Sequence, residues 1–369
     1  MLIKYFFTIM KRAAICVPNP WEVIPLYEQD YSIVVLNPTA PEARNQYILD
    51  NADWSLLVTA QGEKYRDGQD YPNERVLWYT SGTTGDSKFY SFTVDQVNHV
   101  AQRMIADYEI TANDRYVSVM GLHHAHGQML YWVSKLVDME THFLPINRIG
   151  TMHTYNPTFI TAIPDILRTL SKQRFSTLRF VRSASAALYK TLYDDLVETF
   201  KVPVIEAFGM TESCSHCFTN PLRGEQRVGT VGLPSGIDAK LDGERLLIRG
   251  PAVCNPGWID TGDLAAVDDN GYYTILGRAT DRITIRGFKL DPLSLEQQAR
   301  TLPGIQEVAV FGKDAVKVVY VGNHTVAEVT AFFKNLGSYC YPILVKQMDS
   351  IPTNAAGKIS RTMLDQLFT

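Results

Sequence analysis

The stretch YTSGTTGDSK at residues 79–88 decides how the rest of the chain is interpreted. Gly82 and Gly85 let its backbone bend so that several N–H groups point inward. Lys88 supplies one positive charge, and hydroxyl side chains supply further donors at Thr80, Ser81, Thr83 and Thr84. A polyphosphate requires many short donors and a cation, so this stretch is predicted to be a phosphate-binding loop. It is not a Walker A loop, because no Gly-Lys-Ser/Thr sequence closes it.

The segments around this loop predict alternating strands and helices. Residues 75–80 are typical of a strand that leads into the loop, and Thr93 is a predicted N-cap for the helix that follows it. Short β-branched runs predict buried strands at 33–36 and 56–59, with a helix between them, and residues 178–208 predict a strand, a helix and a strand. Such alternation indicates an α/β fold class, with a large layered α/β N-terminal domain that contains parallel strand pairs.

The pattern changes after Gly277. One strand is predicted over residues 282–289, with helices over 292–301 and 326–336 and short strands between them. This tail is predicted to be a small α+β C-terminal lid domain. We therefore expect two domains, an ATP- and acid-binding core over residues 1–278 and a mobile lid over 279–369.

Composition and charge exclude several classes of protein. The 369 residues carry a net charge of −4, which gives no electrostatic reason to expect a nucleic acid or an anionic membrane as partner. The apolar run at the N-terminus ends at Lys11 and Arg12, and no other segment approaches the ~18–20 apolar residues of a membrane span. The five cysteines are odd in number and lie far apart except for Cys214 and Cys217, which argues against a disulfide framework and favours the cytoplasm.

Six motifs in a fixed order resemble those of the AMP-forming acyl-adenylate superfamily, which includes acyl- and aryl-CoA synthetases, adenylation domains of peptide synthetases, and luciferases. The loop at 79–88 is similar to the family's phosphate loop. The other five motifs follow in the family's order: HAHG at 124–127, FGMTE at 208–212, TGD at 261–263, the hinge segment at 277–287, and PTNAAGKISR at 352–361. The resemblance covers nearly the whole chain and implies a shortened, stand-alone member of this superfamily.

The resemblance implies an ATP site. The loop and Lys88 would hold the β- and γ-phosphates, and the turn at Ser183 and Ala184 would contact adenine. Ala207 and Phe208 would border the same base, with the Phe208 ring offering its face to it. The hydroxyls of the ribose would be bound by the family's sugar-binding pair, which here is Asp263 and Arg278.

The resemblance also assigns the chemistry of adenylation, in which a carboxylate attacks the α-phosphorus of ATP and pyrophosphate leaves. Thr211 would hydrogen-bond the α-phosphate. Glu212 would help to hold Mg²⁺, a hard ion that prefers oxygen ligands. Lys358 would bridge the α-phosphate and the substrate carboxylate, which reduces the repulsion between the two reacting anions.

A second half-reaction is implied by the family's behaviour. Family members commonly rotate the small domain after adenylation and open a tunnel for a thiol, either CoA or the phosphopantetheine arm of a carrier protein. Gly287 matches the glycine that lines this tunnel. Thr280 occupies the hinge position, where the family usually has Asp or Lys, so the hinge assignment departs from the family pattern.

The substrate is predicted to be a carboxylic acid without an α-amino group, because residues 121–127 lack the Asp that holds the ammonium group in amino-acid-activating relatives. His124, His126 and Cys214 are the predicted pocket residues. A non-catalytic nucleotide-binding or scaffold homologue of the same fold is the alternative. The presence of Lys358 and Glu212 favours the enzyme.

The length of the chain is short for this family. Only 78 residues precede Tyr79, so the family's usual first subdomain is expected to be missing. Loss of that layer would expose apolar surface, and such surface is often covered by a partner. We therefore expect a homodimer, or a complex with a stand-alone carrier protein.

Overall fold

The computed structural model describes residues 11–80, 87–285, 287–337, 342–353, 359 and 361–368. The chain divides into two compact units, one of Met1–Asp238 with Arg249–Trp258 and the other of Ala239–Ile248 with Ile259–Thr369. The second unit thus begins before residue 279. The boundary of a moving lid at residues 278/279 stays a prediction.

The first sheet of the first unit has six strands among the described residues, in the spatial order β4-β3-β1-β2-β5-β6. The strand β1 is parallel to β2 and β3, and β2 is parallel to β5, whereas β4 and β6 are antiparallel edge strands. The bounds are β1 Lys11–Cys16, β2 Tyr31–Val35, β3 Leu56–Thr59, β4 Gly62–Tyr65, β5 Glu74–Tyr79 and β6 Phe89–Thr93.

Three helices accompany this sheet, α1 Pro20–Val23, α2 Glu42–Asn51 and α3 Val94–Tyr108, with a 3₁₀ turn at Ile24–Leu26. The predicted N-cap of α3 is confirmed. The Thr93 hydroxyl accepts a hydrogen bond from the Gln96 N–H, and the Gln96 side chain accepts one from the Thr93 N–H. This reciprocal cap fixes where α3 leaves β6, directly after the predicted phosphate loop.

A second sheet completes the first unit, in the order β13-β12-β11-β10-β9-β7-β8 within the described part of the chain. The strands from β8 to β11 are parallel to their neighbours, and β12 and β13 continue the sheet in antiparallel fashion. The bounds are β7 Arg115–Ser118, β8 Glu140–Phe143, β9 Phe159–Ala162, β10 Phe180–Ser183, β11 Val204–Phe208, β12 Phe218–Thr219 and β13 Leu233–Pro234.

The helices of this second layer are α4 Ala125–Val137, α5 Pro164–Leu170 and α6 Lys190–Phe200, with 3₁₀ segments at Ile146–Tyr155 and Thr211–Ser213. The helix α6 buries Leu192, Leu196 and Phe200, which recur at the four-residue spacing that places side chains on one helix face. The predicted strand–helix–strand order over 178–208 and the α/β fold class are both confirmed.

The second unit combines an antiparallel sheet with a smaller α+β part. The sheet order is β14-β15-β16-β17, and a hairpin and a mixed sheet β20-β21-β22 follow it along the chain. Its strands are β14 Asp238–Asp242, β15 Arg245–Arg249, β16 Ile259–Val267, β17 Tyr273–Arg278, β18 Ile283–Ile285, β19 Phe288–Leu290, β20 Ile305–Phe311, β21 Val316–Gly322 and β22 Ile343–Gln347. Its helices are α7 Pro292–Ala299, α8 Val326–Leu336 and α9 Arg361–Asp365, with 3₁₀ turns at Ala279–Asp281 and Gln366–Phe368.

The single strand predicted over residues 282–289 is wrong. The segment forms the hairpin β18–β19, with Ile285 paired to Phe288. Gly287 has a φ of +84°, a left-handed conformation that glycine adopts without the steric cost that other residues pay. Apolar residues alternate with polar ones on both sides of this turn, at Ile283 and Ile285 before it and at Phe288 and Leu290 after it, and for that reason the segment resembles one strand.

Apolar residues form separate buried clusters in the two units. The largest cluster joins residues of the first sheet to α3, α4 and the second sheet, and another lies between β20, β21 and the helices α7 and α8. Among the helices that the structure describes, none has the length and apolar character needed to cross a membrane.

Candidate active site

The ends of the predicted phosphate loop are held together by the hairpin that carries it. The Thr80 N–H donates to the Lys88 carbonyl at 2.9 Å, and the Lys88 N–H donates to the Thr80 hydroxyl at 3.2 Å. Lys88 is exposed, so its ammonium group is available to an anionic ligand. The central loop residues Ser81, Gly82, Thr83, Thr84 and Gly85 lie outside the described residues.

A second cation at the base of this loop was missed by sequence reasoning. Arg44, on α2, donates through Nη2 to the Thr80 carbonyl at 3.3 Å and to the Ser87 hydroxyl at 3.1 Å. These contacts hold the two ends of the loop and place a guanidinium beside it. Arg44 and Thr80 are 36 positions apart, which hides this proximity in the sequence.

The strands β10 and β11 end side by side, as neighbouring parallel strands do, and the carboxyl end of such a sheet is where α/β folds bind ligands. Ser183 closes β10 and is fully buried, and its hydroxyl has no hydrogen-bond partner among the described residues. Ala184 follows it, and Ala207 and Phe208 close β11. The four residues predicted to border adenine therefore lie at one edge of the sheet.

A tight turn follows β11 and brings the next residues back toward this edge. A Cβ on Gly209 would lie 1.9 Å from the Ser215 carbonyl oxygen, so only glycine fits there. Cys214 and Ser215 both have positive φ angles, +55° and +78°, and this turns the chain after the 3₁₀ segment that carries Thr211 and Glu212. The sharp turn explains how Ser215 faces α4.

Glu212 is positioned by a tyrosine from the first sheet. The Tyr90 hydroxyl donates to Glu212 Oε1 at 2.8 Å, and burial together with this carboxylate raises the pKa of Tyr90 above its ordinary value. Tyr90 therefore stays a neutral donor to Glu212, and carboxyl oxygens such as those of Glu212 are the type of ligand that Mg²⁺ prefers. The carboxylate and the neighbouring Thr211 hydroxyl fit the predicted magnesium and phosphate roles.

The predicted pocket histidines begin α4. His124 is the N-cap of the helix, and its ring lies 4.1 Å from that of His123, whose pKa is lowered to about 3 mainly by burial. His126 contacts Ser215, with 3.0 Å between Nδ1 and the hydroxyl. A Cβ on Gly127 would lie 2.7 Å from the Gly121 carbonyl, so the glycine permits the close packing that fixes these rings.

Cys214, by contrast, is fully buried within the main hydrophobic cluster, and burial raises the pKa of its thiol well above the usual range. Its thiol is part of the core, and its predicted role as a pocket residue stays a prediction.

In the second unit, the two residues predicted to bind ribose stand directly opposite each other on β16 and β17. Arg278 Nε lies 3.2 Å from Asp263 Oδ1, and Arg278 Nη1 donates to the Thr261 carbonyl at 2.8 Å. Asp263 is 5% exposed. An acceptor and a donor that are 15 residues apart in sequence thus form one polar pair, as binding of a sugar diol requires.

Comparison with known proteins agrees with this arrangement. A family model described as AMP-binding enzyme matches residues 73–254. The chain is 30% identical over 383 residues to the oxalate–CoA ligase of Arabidopsis thaliana. This alignment covers 89% of this chain and 74% of the Arabidopsis protein. The chain belongs to the AMP-binding enzyme family. This confirms the resemblance to the AMP-forming acyl-adenylate superfamily.

This AMP-binding enzyme is also similar to a second CoA ligase and to a solved structure. It is 26% identical over 336 residues to the sulfoacetate–CoA ligase of Cupriavidus necator, covering 78% of this chain and 66% of that protein. Its fold superimposes with a TM-score of 0.87 on the crystal structure of ATP-bound MatB from Rhodopseudomonas palustris, at 21% identity, covering 98% of this chain and 89% of that one. The structural likeness shows a shared fold.

The predicted hinge of this AMP-binding enzyme lies in the 3₁₀ turn Ala279–Asp281, where Thr280 donates to Asp281 at 3.3 Å. Asp281 is in turn 3.4 Å from Arg361, which also bonds to Glu296 at 2.8 Å. Gly287 sits at the β18–β19 turn, and no atom of the described residues lies within 4 Å of the position of a Cβ there. The hinge and tunnel roles stay predictions.

Lys358 lies outside the described residues, but the structure describes both of its flanks. Thr353 and Ile359 form an isolated antiparallel bridge. Arg361, three residues after Lys358, is anchored by Glu296, Asp281 and the Val310 carbonyl. The motif that carries the lysine is therefore closed at its base and tied to the body of the second unit.

Proposed function

We propose that this AMP-binding enzyme is an acid–CoA ligase. It would activate a carboxylic acid with ATP to an acyl-AMP and release pyrophosphate, and then transfer the acyl group to the thiol of CoA. The observation that carries the proposal is the similarity to a CoA ligase across 89% of the chain, a span that includes both compact units.

The side chains in the first unit support the phosphate chemistry. Lys88 and Arg44 place two cations at the base of the loop, and they can offset the charge that develops on departing pyrophosphate. Thr211 would donate to the α-phosphate. Glu212, oriented by Tyr90, would hold Mg²⁺, which supplies charge neutralisation to the phosphates when bound.

The second unit supports the nucleoside and acyl-transfer roles. The Asp263 carboxylate can accept from the ribose hydroxyls while Arg278 keeps that carboxylate in place. Lys358 would contact the α-phosphate and the acid carboxylate during adenylation. Thr280 as hinge and Gly287 in the thiol tunnel are the proposed parts of the second half-reaction.

CoA is the proposed acceptor because the relatives above are named CoA ligases. The phosphopantetheine of a carrier protein, the homodimer and the cytoplasmic location stay predictions from the sequence. The acids in those two names, oxalate and sulfoacetate, each carry two anionic groups on a two-carbon frame. Short dianionic acids are therefore the first substrates to test.

The decisive experiment measures pyrophosphate release with ATP, Mg²⁺ and a panel of aliphatic, aryl and amino acids. Turnover with at least one acid without an α-amino group is expected. Addition of CoA or a phosphopantetheine-bearing carrier to the active mixture then identifies the acceptor by the mass of the thioester. No turnover with any acid would refute the ligase and favour a scaffold homologue.

Lys358→Ala is expected to lower adenylate formation by at least ~100-fold, because the substrate carboxylate and the α-phosphate then meet without a shared cation. ATP binding, measured by calorimetry, should persist because the loop, Asp263 and Arg278 remain. Lys346→Ala, which removes an exposed lysine of β22, is the matched control. Pyrophosphate exchange at the wild-type rate in Lys358→Ala would contradict this role.

A further inference from the structure

A fully buried arginine lies at the end of β10, one residue before the predicted adenine turn. Arg182 is 1% exposed and stands in register between Thr161 on β9 and Ile205 on β11. It shares a face of the sheet with Phe180 and Phe159 and projects toward α3 and α4, because side chains alternate along a strand. No motif of the sequence assigned it a role.

The guanidinium is held by neutral groups. Its Nε donates to the Tyr108 hydroxyl at 2.8 Å, and its Nη1 donates to His126 Nε2 at 2.8 Å and to the Thr161 hydroxyl at 3.1 Å. Its Nη2 is buried and has no hydrogen-bond partner among the described residues. The group is therefore held in one orientation, and it keeps one donor that no described residue uses.

Arg182 carries a charge without a counterion among the residues that the structure describes. No carboxylate lies within ion-pair distance of it in the described part of the chain, and the Asp107 carboxylate near its network is already bonded to Arg103, His216 and Ser235. A buried cation without an anionic partner is costly, because neutral acceptors replace only part of its lost hydration. A bound anion would supply the missing partner.

The hydrogen bonds of His126 give this network a direction. Arg182 has only donors, so His126 Nε2 must accept and the ring proton resides on Nδ1. His126 Nδ1 then donates to the Ser215 hydroxyl at 3.0 Å, and the Ser215 proton is left to donate onward. Burial and the positive charge of Arg182 hold the pKa of His126 well below its usual range, which keeps the ring neutral.

The network of Arg182, His126 and Ser215 lies beside motifs that are predicted to form the acid pocket. Arg182 precedes Ser183, His126 belongs to the second motif, and Ser215 lies three residues after Glu212. His126 is partly exposed, whereas Arg182 and Ser215 are buried.

We propose that Arg182, His126 and Ser215 form a subsite for the second anionic group of a short dianionic acid, whose other carboxylate is adenylated. This inference rests on the proposed ligase function and names the substrate class of that site. Charge-assisted hydrogen bonds in a desolvated site discriminate strongly against a ligand that lacks the charge, because the buried donors are then left unpaired. Malonate would be accepted and propionate, which has the same number of carbons, would be disfavoured.

The test compares kcat/KM for malonate and propionate, and for succinate and butyrate, by pyrophosphate release in the presence of CoA. The wild type should prefer the dianionic member by about 100-fold or more. In Arg182→Met this preference should fall to within about 10-fold, mainly through a higher KM for malonate, and Arg182→Lys should be intermediate. Arg168→Met, which removes an exposed arginine of α5, is the matched control and should keep the wild-type preference.

Two further measurements keep the proposal falsifiable if Arg182→Met does not fold. Ser215→Ala should raise the KM for malonate about 10-fold and leave the KM for ATP unchanged. Malonate should also raise the melting temperature of the wild type without ATP, and propionate should not. Turnover restricted to monoanionic acids, or an equal loss for both acids in Arg182→Met, would overturn the subsite and leave the ligase intact. No turnover with any acid would overturn both.

Discussion

Among the described residues of the first unit, two arginines, Arg12 and Arg182, are buried in the sheets, and a carboxylate pairs with only the first of them. Arg12, on β1, donates to Glu74 on β5 through Nε at 2.7 Å and Nη2 at 2.9 Å, and to the Ala52 carbonyl at 2.8 Å. Glu74 also accepts from Ser32 and Ser91. Arg182, on β10, has comparable burial, and its hydrogen-bond acceptors in the described part of the chain are all neutral.

The comparison shows that a buried arginine can serve either the stability of the fold or the binding of a ligand. The Arg12–Glu74 pair satisfies itself within the fold and needs no ligand, so its function is structural. Arg182 is oriented by the fold, but no described residue neutralises its charge, which is the condition expected of a group that we propose is reserved for a ligand. A buried charge indicates a functional site when the fold does not neutralise it.

The largest effect is expected on breaking the satisfied pair. Glu74→Ala leaves Arg12 as a buried, uncompensated charge, and it should lower the free energy of unfolding by about 3–5 kcal/mol in urea denaturation. Asp194→Ala, which removes an exposed carboxylate paired with Lys190, is the control and should change stability little. If Glu74→Ala and Asp194→Ala were equally stable, the ion pair of Arg12 would not stabilise the fold, and Arg12 would not differ from Arg182 in this respect.

A smaller effect is expected from the carboxyl group nearest to Arg182 in the sheet register. Glu206 on β11 is paired with Ser183, so it projects to the opposite face from Arg182 and cannot neutralise it. Burial raises the pKa of Glu206 to about 7. The folded state therefore keeps this proton over a pH range in which the unfolded chain has lost it.

Because the pKa is raised on folding, stability should decrease as the pH rises from about 4.5 to about 7 and then stay constant. The contribution of this group over that range is roughly 3 kcal/mol. Glu206→Gln should remove that part of the decrease, measured as the difference between the two urea-denaturation profiles against pH. Parallel profiles for wild type and variant would show that Glu206 titrates normally.

The smallest change in the free energy of unfolding is expected for Arg182→Met. The variant removes a buried cation without stranding an anion, and Tyr108 keeps Thr219 while His126 keeps Thr161 as partner. The free energy of unfolding should change by less than about 1 kcal/mol. A loss comparable to that of Glu74→Ala would mean that Arg182 is structural, like Arg12.

The sequence predicted the parts of the fold that depend on local pattern. Strands at 56–59 and 74–79 follow from β-branched and apolar runs, and α3 follows from the cap at Thr93. The strand β1 was missed because Lys11 and Arg12 resemble the end of an apolar run. Arg12 is buried only because Glu74, 62 residues away, neutralises it, and no local signal contains that information.

The candidate site shows the same limit. Asp263 and Arg278 were predicted from motifs and the fold places them opposite each other, but Arg44 and Arg182 were missed. One signal for Arg182 was present: a charge in the middle of the apolar run Phe180–Ser183. What this charge indicates depends on the groups that surround it in three dimensions, and in particular on whether a carboxylate lies near it.

The strand β4 has a consequence for how molecules of this protein behave beside one another. It forms one edge of the first sheet in the described residues, all four of its residues are exposed, and two of them, Glu63 and Lys64, are charged. An open strand edge can template pairing with another chain, and charged side chains oppose such pairing because it would bury them. This short polar strand thus protects the sheet against aggregation through its open edge.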